Sequence, residues 1–278
     1  EFRRVLFRSG ILMAGLGAFF FSDLRLKWRS LAWWCVGVIV LVAMVDAFYP
    51  SIAGDPSLDA MMEQIPESLQ PLIGTESLTS PVGYLSSQLY LFFMPAVILV
   101  FAIGRGTSAI AGEEEDHTLD LLLAQPIGRT SLYVQKIIGL LFGLVVLCVA
   151  SAVPTVVLSG PTGLDLPMAS LAAVTIQMFA FLVFFGLLAL TSSVAFGSKS
   201  VGVSVAAGYA FVTFIIDGIG QSVDWLEPLR PLTPWRWYDS TAALNDGFVW
   251  GSFLVLLVVS IVVAVVGWVC FQRRNLRA

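Results

Sequence analysis

Charged residues are scarce in this sequence of 278 residues, because Asp, Glu, Lys and Arg together make up only 12%. That is about half the share found in ordinary soluble domains. Hydrophobic residues account for 58%. This balance excludes an intrinsically disordered chain, which needs few hydrophobic residues and many charges. It also excludes an ordinary soluble globular protein, so lipid is the expected solvent for most of the chain.

The sequence also lacks residues that several common activities require. The dipeptide GK never occurs, so there is no P-loop and any ATP-driven work requires another chain. His117 is the only histidine, and no G-x-S-x-G elbow is present, which disfavours an intramembrane serine hydrolase. The pair Glu114 and Glu115 is similar to the glutamate motif of prenyl-protein proteases, but their arginine would fall at Leu119. We therefore predict no catalytic residue and no cofactor in this chain.

Metal ions and nucleic acids are disfavoured as ligands for similar reasons. Cys35, Cys148 and Cys270 lie in apolar runs far apart in sequence, so neither a zinc site nor a disulfide framework is indicated. A metal site on His117 would have a single nitrogen ligand beside a row of carboxylates. The net charge of −4 provides no basic surface for phosphate groups. We expect no metal and no nucleic-acid partner.

Long apolar runs are what the sequence has instead. A helix needs about 20 mostly apolar residues to cross a hydrocarbon core roughly 30 Å thick. Six stretches meet this requirement: residues 31–49, 85–104, 137–158, 169–196, 201–220 and 250–271. The predicted fold class is an all-α integral membrane protein with six transmembrane helices, which form one domain over residues 10–278.

The distribution of Lys and Arg predicts the orientation in the membrane. Thirteen of the 15 basic residues lie at the termini and in the two loops on the same side, which leaves Arg230 and Arg236 for the other side. The positive-inside rule then places both termini in the cytoplasm of a multi-pass cell-membrane protein. No basic residue occurs between Arg29 and Arg105, so residues 50–82 are predicted to form an acidic outer loop.

Ionisable residues are rare within the predicted spans, and two of them lie near the predicted outer ends. Asp46 is close to the end of span 1, and Asp217 is close to the end of span 5. Carboxylates that are solvated at a membrane surface cost little free energy, whereas those at membrane depth are usually functional. We therefore expect Asp46 and Asp217 to be solvated and to have no role in ion coupling.

The region before span 1 has two parts. Residues 1–9, EFRRVLFRS, lack an initiator Met and are interpreted as a cloning or sequencing remnant. Apolar residues from Met13 to Trp28 then recur at spacings of three and four, which is typical of an amphipathic helix. We expect this helix to lie along the inner leaflet, in preference to extending span 1.

The segment between spans 2 and 3, residues 105–136, breaks sharply from the apolar composition around it. Four consecutive acids, from Glu113 to Asp116, suit a helix amino terminus, where unpaired N–H groups point outward. We predict a cytoplasmic helix from about residue 113 to Gln125, because Pro126 disfavours helical geometry in the residue before it. A helix that merely joins two spans would fit this periodicity equally well.

The pattern AGEEEDHTLDLLLAQPIGR resembles a motif of the permease subunits of ABC-2 type ABC transporters, particularly those related to copper-enzyme maturation and drug-export permeases. That family has an acidic stretch, GT, an aliphatic residue, LL, two residues, proline and a basic residue. His117 stands where the family usually has glycine. The resemblance extends to FAIGRGTSAIAGEEE, to YPS before the acidic loop and to the six-span hydropathy.

This resemblance implies a non-catalytic permease, more often an exporter than an importer. Its implied partners are a separate ABC ATPase subunit that binds ATP, a second permease copy or paralogue, and membrane lipid. The implied ATPase-coupling loop comprises Glu113, Glu114, Glu115, Asp116, His117, Thr118, Leu119, Leu122, Leu123, Pro126 and Arg129. Two alternatives stay open: a membrane anchor or assembly factor that recruits a cytoplasmic partner, and an intramembrane hydrolase.

Overall fold

Long helices dominate the computed structural model, which describes residues 28–53, 79–115, 128–164, 166–220, 223 and 225–274. Six of them are long and apolar enough to cross a membrane, and the described residues form no β-strand. This confirms the predicted all-α fold with six spans. In chain order they are α1 (Trp28–Ser51), α2 (Pro81–Glu115), α3 (Arg129–Thr162), α4 (Met168–Phe196), α5 (Lys199–Ile219) and, after two short helices, α8 (Trp250–Arg273).

Two of the long helices extend well beyond the apolar runs that predict them. α2 continues past Gly104 to Glu115, and α3 begins at Arg129, before its apolar run starts at Ile137. Both helices therefore project into the segment predicted as a loop, so the connection between them is shorter than expected. The predicted amphipathic helix before Trp28 and most of the predicted outer loop, residues 54–78, lie outside the described residues.

α4 lies at the centre of the bundle, where it packs against α2, α3, α5 and α8. Apolar side chains cover all its sides, which is typical of a helix surrounded by other helices. Phe181 and Phe185 are fully buried there. α1 and α8 instead expose many valine and leucine side chains, as helices that face lipid do.

Two glycines allow α2, α4 and α3 to pack closely. A Cβ atom at Gly106 of α2 would collide with the carbonyl oxygen of Gly186 in α4. A Cβ atom at Gly186 would in turn press against Leu140 of α3. Membrane helices associate largely through such close packing at small residues, because lipid provides no hydrophobic driving force between them. These contacts hold the last part of α2 in place between its neighbours.

A cap covers one end of the bundle. Trp235 donates its indole N–H to the carbonyl of Ala210 at 3.0 Å, and the Tyr238 hydroxyl donates to the carbonyl of Tyr90 at 2.7 Å. We call this end the cap face, and the opposite end, where Arg274 lies, the terminal face. The cap consists of a 3-10 helix (Glu227–Leu232), α6 (Pro234–Trp237) and α7 (Ser240–Asn245).

Candidate functional site

Three consecutive acids, Glu113, Glu114 and Glu115, are the last described residues of α2 and lie on the terminal face. The five residues before them, Ser108–Gly112, wind as a π-helix, a form that is frequent at functional sites. The helical backbone continues without interruption from Phe93 through these five residues to Glu115, so no new helix begins near residue 113 as the sequence predicts. The rest of that predicted helix, residues 116–125, lies outside the described residues.

Glu113 forms an ion pair with Lys136 of α3. The carboxylate Oε1 lies 2.5 Å from the ammonium Nζ, and the two side chains are only 15% and 6% exposed. Removing either charge from water costs several kcal/mol, and a buried charge left without its partner is strongly destabilising. The pair therefore holds the end of α2 against the first turns of α3.

Glu114 binds Arg274, the residue that follows α8. Its Oε1 accepts a hydrogen bond from Arg274 Nη2 at 2.9 Å, and Arg274 Nη1 donates to the carbonyl of Val194 at 3.1 Å. Val194 lies in the last turn of α4, where a cation is favoured by the helix dipole. The carbonyl of Arg274 accepts a hydrogen bond from Arg129 Nη1 at 3.0 Å. One arginine thus links the ends of α2, α3, α4 and α8.

Gly197 provides the space for the Arg274 guanidinium. It ends α4 in the left-handed conformation, with φ of +67°, as helix C-caps commonly do. A Cβ atom at this position would overlap the guanidinium group. Any other residue would therefore meet both an unfavourable backbone conformation and a steric clash.

Glu115 caps a helix to which it does not belong. Its Oε1 accepts a hydrogen bond from the backbone N–H of Lys199, the first residue of α5, at 2.9 Å. The first N–H groups of a helix have no partner within the helix, and the Ser198 side chain makes no capping hydrogen bond. The carboxylate also favours the positive end of the α5 dipole. Glu115 therefore fixes the start of α5 to the end of α2.

We call Glu113, Glu114 and Glu115, together with Lys136, Lys199 and Arg274, the acidic clasp. Successive residues of a helix point about 100° apart, so three consecutive acids can reach three different neighbours. The clasp joins the end of α2 to α3, α5 and α8, and through Arg274 to α4. Through these contacts, the acidic clasp can transmit a displacement of α2 to the ends of the neighbouring helices.

The structure describes only some of the residues predicted to form the coupling loop. Glu113, Glu114 and Glu115 belong to the clasp, and Arg129 contacts it through the Arg274 carbonyl. The remaining predicted residues lie outside the described residues, so their role stays a prediction: Asp116, His117, Thr118, Leu119, Leu122, Leu123 and Pro126.

Sequence reasoning missed the partners of the acids. Lys136 and Arg274 were not predicted as site residues, although each stands at the end of a long apolar run, and Lys199 takes part only through its backbone N–H. A basic residue at such a position, in a chain with so few charges, is the signal that could have identified them. In the described parts of the chain, no group of three or more His, Cys, Asp or Glu side chains could hold a metal ion.

Comparison with known proteins matches this chain to a protein family. A family model described as ABC-2 family transporter protein matches residues 20–276, which include all six long helices and the acidic clasp. No curated protein matches the chain.

Proposed function

This chain belongs to the ABC-2 transporter family, and we propose that it is an export permease driven by ATP hydrolysis in a separate subunit. Family membership and six apolar helices make it a multi-pass membrane protein and the permease component of an ABC transporter. ABC-2 permeases are generally non-catalytic and normally work with an ABC ATPase. In this proposal ATP binds to that partner, because the sequence contains no P-loop.

The acidic clasp is the observation that carries the proposal. It immediately precedes residues 116–128, the segment that we propose binds the ATPase. A partner that displaces this segment would move the end of α2. Because Glu113, Glu114 and Glu115 each contact a different helix, the same displacement would reach α3, α5 and α8.

We also propose that the terminal face lies in the cytoplasm, where the ATPase is found. The positive-inside rule supports this orientation, since Arg230 and Arg236 are the only basic residues assigned to the cap face. The centre of the described bundle is filled by α4 and its aromatic side chains. A transport pathway between two permease chains fits this packing better than a pathway through one bundle.

Mutations in the proposed ATPase-binding segment test the function. Leu119→Asp or Leu122→Asp should weaken ATPase binding by about 2 kcal/mol, or roughly thirtyfold, because buried apolar anchors carry most interface affinity. The measurement is copurification of the two subunits in detergent together with substrate-dependent ATP hydrolysis. The matched control is Leu232→Asp, which changes an exposed leucine of the cap face and should leave both readouts unchanged.

Two further outcomes decide between the proposal and its alternatives. Asp116→Lys reverses a charge in this segment and should weaken binding less than the leucine changes, and in a salt-dependent way, because rim charges are screened. If both leucine variants retain the ATPase and its coupling, the segment is a plain connector. Weight would then shift to an anchor or assembly factor.

A further inference from the structure

Asp46 is buried in α1, near the cap face. It lies about 27 Å along the helix axis from Trp28 and has 0% of its surface exposed. The expectation of a solvated carboxylate at this position is wrong, because side chains of α2 and α3 cover it. The hydroxyl of Tyr84 in α2 holds the two helices together here by donating to the carbonyl of Val45 at 2.7 Å.

The Asp46 carboxylate has no hydrogen-bond partner at either oxygen. The Thr155 hydroxyl of α3 faces the carboxylate without reaching hydrogen-bond geometry, and it too is buried without a partner. The phenol groups of Tyr84 and Tyr90 in α2 interact electrostatically with Asp46. The Tyr90 hydroxyl is likewise buried without a hydrogen bond. Several oxygen atoms around Asp46 are thus left unsatisfied.

No basic residue in the described part of the chain balances this charge. Among the described residues, no basic group interacts electrostatically with Asp46. Residues 54–78, which follow α1 in the sequence, contain five acids and no Lys, Arg or His. The other basic residues outside the described parts belong to residues 1–27, 116–127 and 275–278.

We propose that Asp46, together with Thr155 and Tyr90, binds one monovalent cation, H⁺ or Na⁺. A buried carboxylate without a counter-charge costs several kcal/mol, and a bound cation removes that penalty. One positive charge balances one carboxylate. Divalent ions usually take more carboxylates, and the described residues contain no group of three acidic or other metal-ligating side chains.

The surroundings of Asp46 favour entry of a cation from the cap face. Residues 54–78 follow α1 in the sequence, and their five acids without a basic residue give this segment a negative potential. Such a potential raises the local concentration of cations. The bound cation would also link α1 to α2 and α3. Such a link matters because α1 is one of the least buried of the long helices and has few other contacts to hold it. The site depends neither on the ATPase partner nor on the direction of transport.

Sodium binding to the purified, detergent-solubilised chain tests the proposal. Binding of radioactive Na⁺, with choline chloride keeping the ionic strength constant, should saturate at about one ion per chain. Asp46→Asn keeps the side-chain shape and should weaken binding at least tenfold, and Thr155→Val should weaken it to a smaller extent. The matched control is Asp217→Asn, because Asp217 lies near the same face but has Arg230 at 3.7 Å.

A second readout distinguishes the proton from sodium. If H⁺ is the ligand, no variant binds Na⁺. The midpoint of thermal unfolding should then fall by about 2–4 °C as the pH rises from about 5.5 to 8.5, because the bound proton is lost. This shift should disappear in Asp46→Asn and persist in Asp217→Asn. The titratable groups facing Asp46 are the phenols of Tyr84 and Tyr90, and tyrosines ionise only near about pH 10.

One result would overturn the proposal: a wild-type chain that binds no Na⁺ and has the same pH dependence of unfolding as Asp46→Asn. If Asp46→Asn does not fold, Thr155→Val provides the same two readouts without changing the carboxylate. A response of Thr155→Val identical to that of the wild type in both readouts would then count against the site.

Discussion

Replacing Glu114 with Gln should loosen the acidic clasp without changing the shape of the side chain. The amide oxygen can still accept a hydrogen bond from Arg274, but the charge that balances the guanidinium is lost. Hydrogen bonds to charged groups contribute about 1.5–3 kcal/mol. The Glu114 and Arg274 side chains are 11% and 18% exposed, so solvent and salt screen this pair only weakly. We expect the free energy of unfolding to fall by about 2 kcal/mol.

Thermal unfolding in detergent, followed by tryptophan fluorescence, measures this loss. For a chain of this size each kcal/mol lowers the unfolding midpoint by about 2–4 °C, so Glu114→Gln should lower it by about 4–8 °C. The matched control is Glu227→Gln, which changes an exposed glutamate of the cap face. It should change the midpoint by less than about 2 °C, as surface substitutions usually do.

A double-mutant cycle with Arg274→Gln shows whether the pair itself is responsible. The loss in the double variant should be smaller than the sum of the single losses by about 1–2 kcal/mol, because neither charge is then left without its partner. Strictly additive losses would refute the reasoning from the 2.9 Å contact. If the clasp transmits motion, Glu114→Gln should still copurify with the ATPase, but the ATPase in that complex should respond less to substrate.

Two further substitutions probe the contacts of α2. Gly106→Ala should lower the free energy of unfolding by about 1–3 kcal/mol, because its Cβ would collide with the backbone of α4. Gly104→Ala is its control, since a Cβ there meets nothing within 4 Å, and equal unfolding midpoints for both variants would contradict the packing argument. Glu115→Ala should remove the cap of α5 and cost about 1 kcal/mol. Faster hydrogen exchange at the Lys199 amide would report this loss, and unchanged exchange would exclude the capping role.

The six spans could be predicted from the sequence because the bilayer imposes a simple requirement. Each spanning segment must satisfy its own backbone hydrogen bonds and present about 20 apolar residues to lipid. The runs at residues 169–196 and 250–271 therefore match α4 and α8 within a few residues. The absence of a P-loop sequence predicts that ATP binds to another chain, and this stays a prediction.

The partners of the acids of α2 could not be predicted from the sequence. Local preference assigns a row of acids to a helix amino terminus, but that preference is worth only about 0.3–1 kcal/mol. The structure adds ion pairs with Lys136 and Arg274, which lie 23 and 160 residues from their acids along the chain. No local pattern contains that information.

Asp46, near the cap face, also separates what the sequence predicts from what the packing of the helices decides. Its position near the end of an apolar run is plain from the sequence, which also contains no basic residue between Arg29 and Arg105. Whether the carboxylate meets water depends on how α2 and α3 pack around α1, and that packing buries it beside Thr155 and Tyr90. Hydropathy is set by each segment alone, so it can be read along the chain. Burial and pairing of a charge depend on side chains from distant segments, so they are decided only when the helices come together.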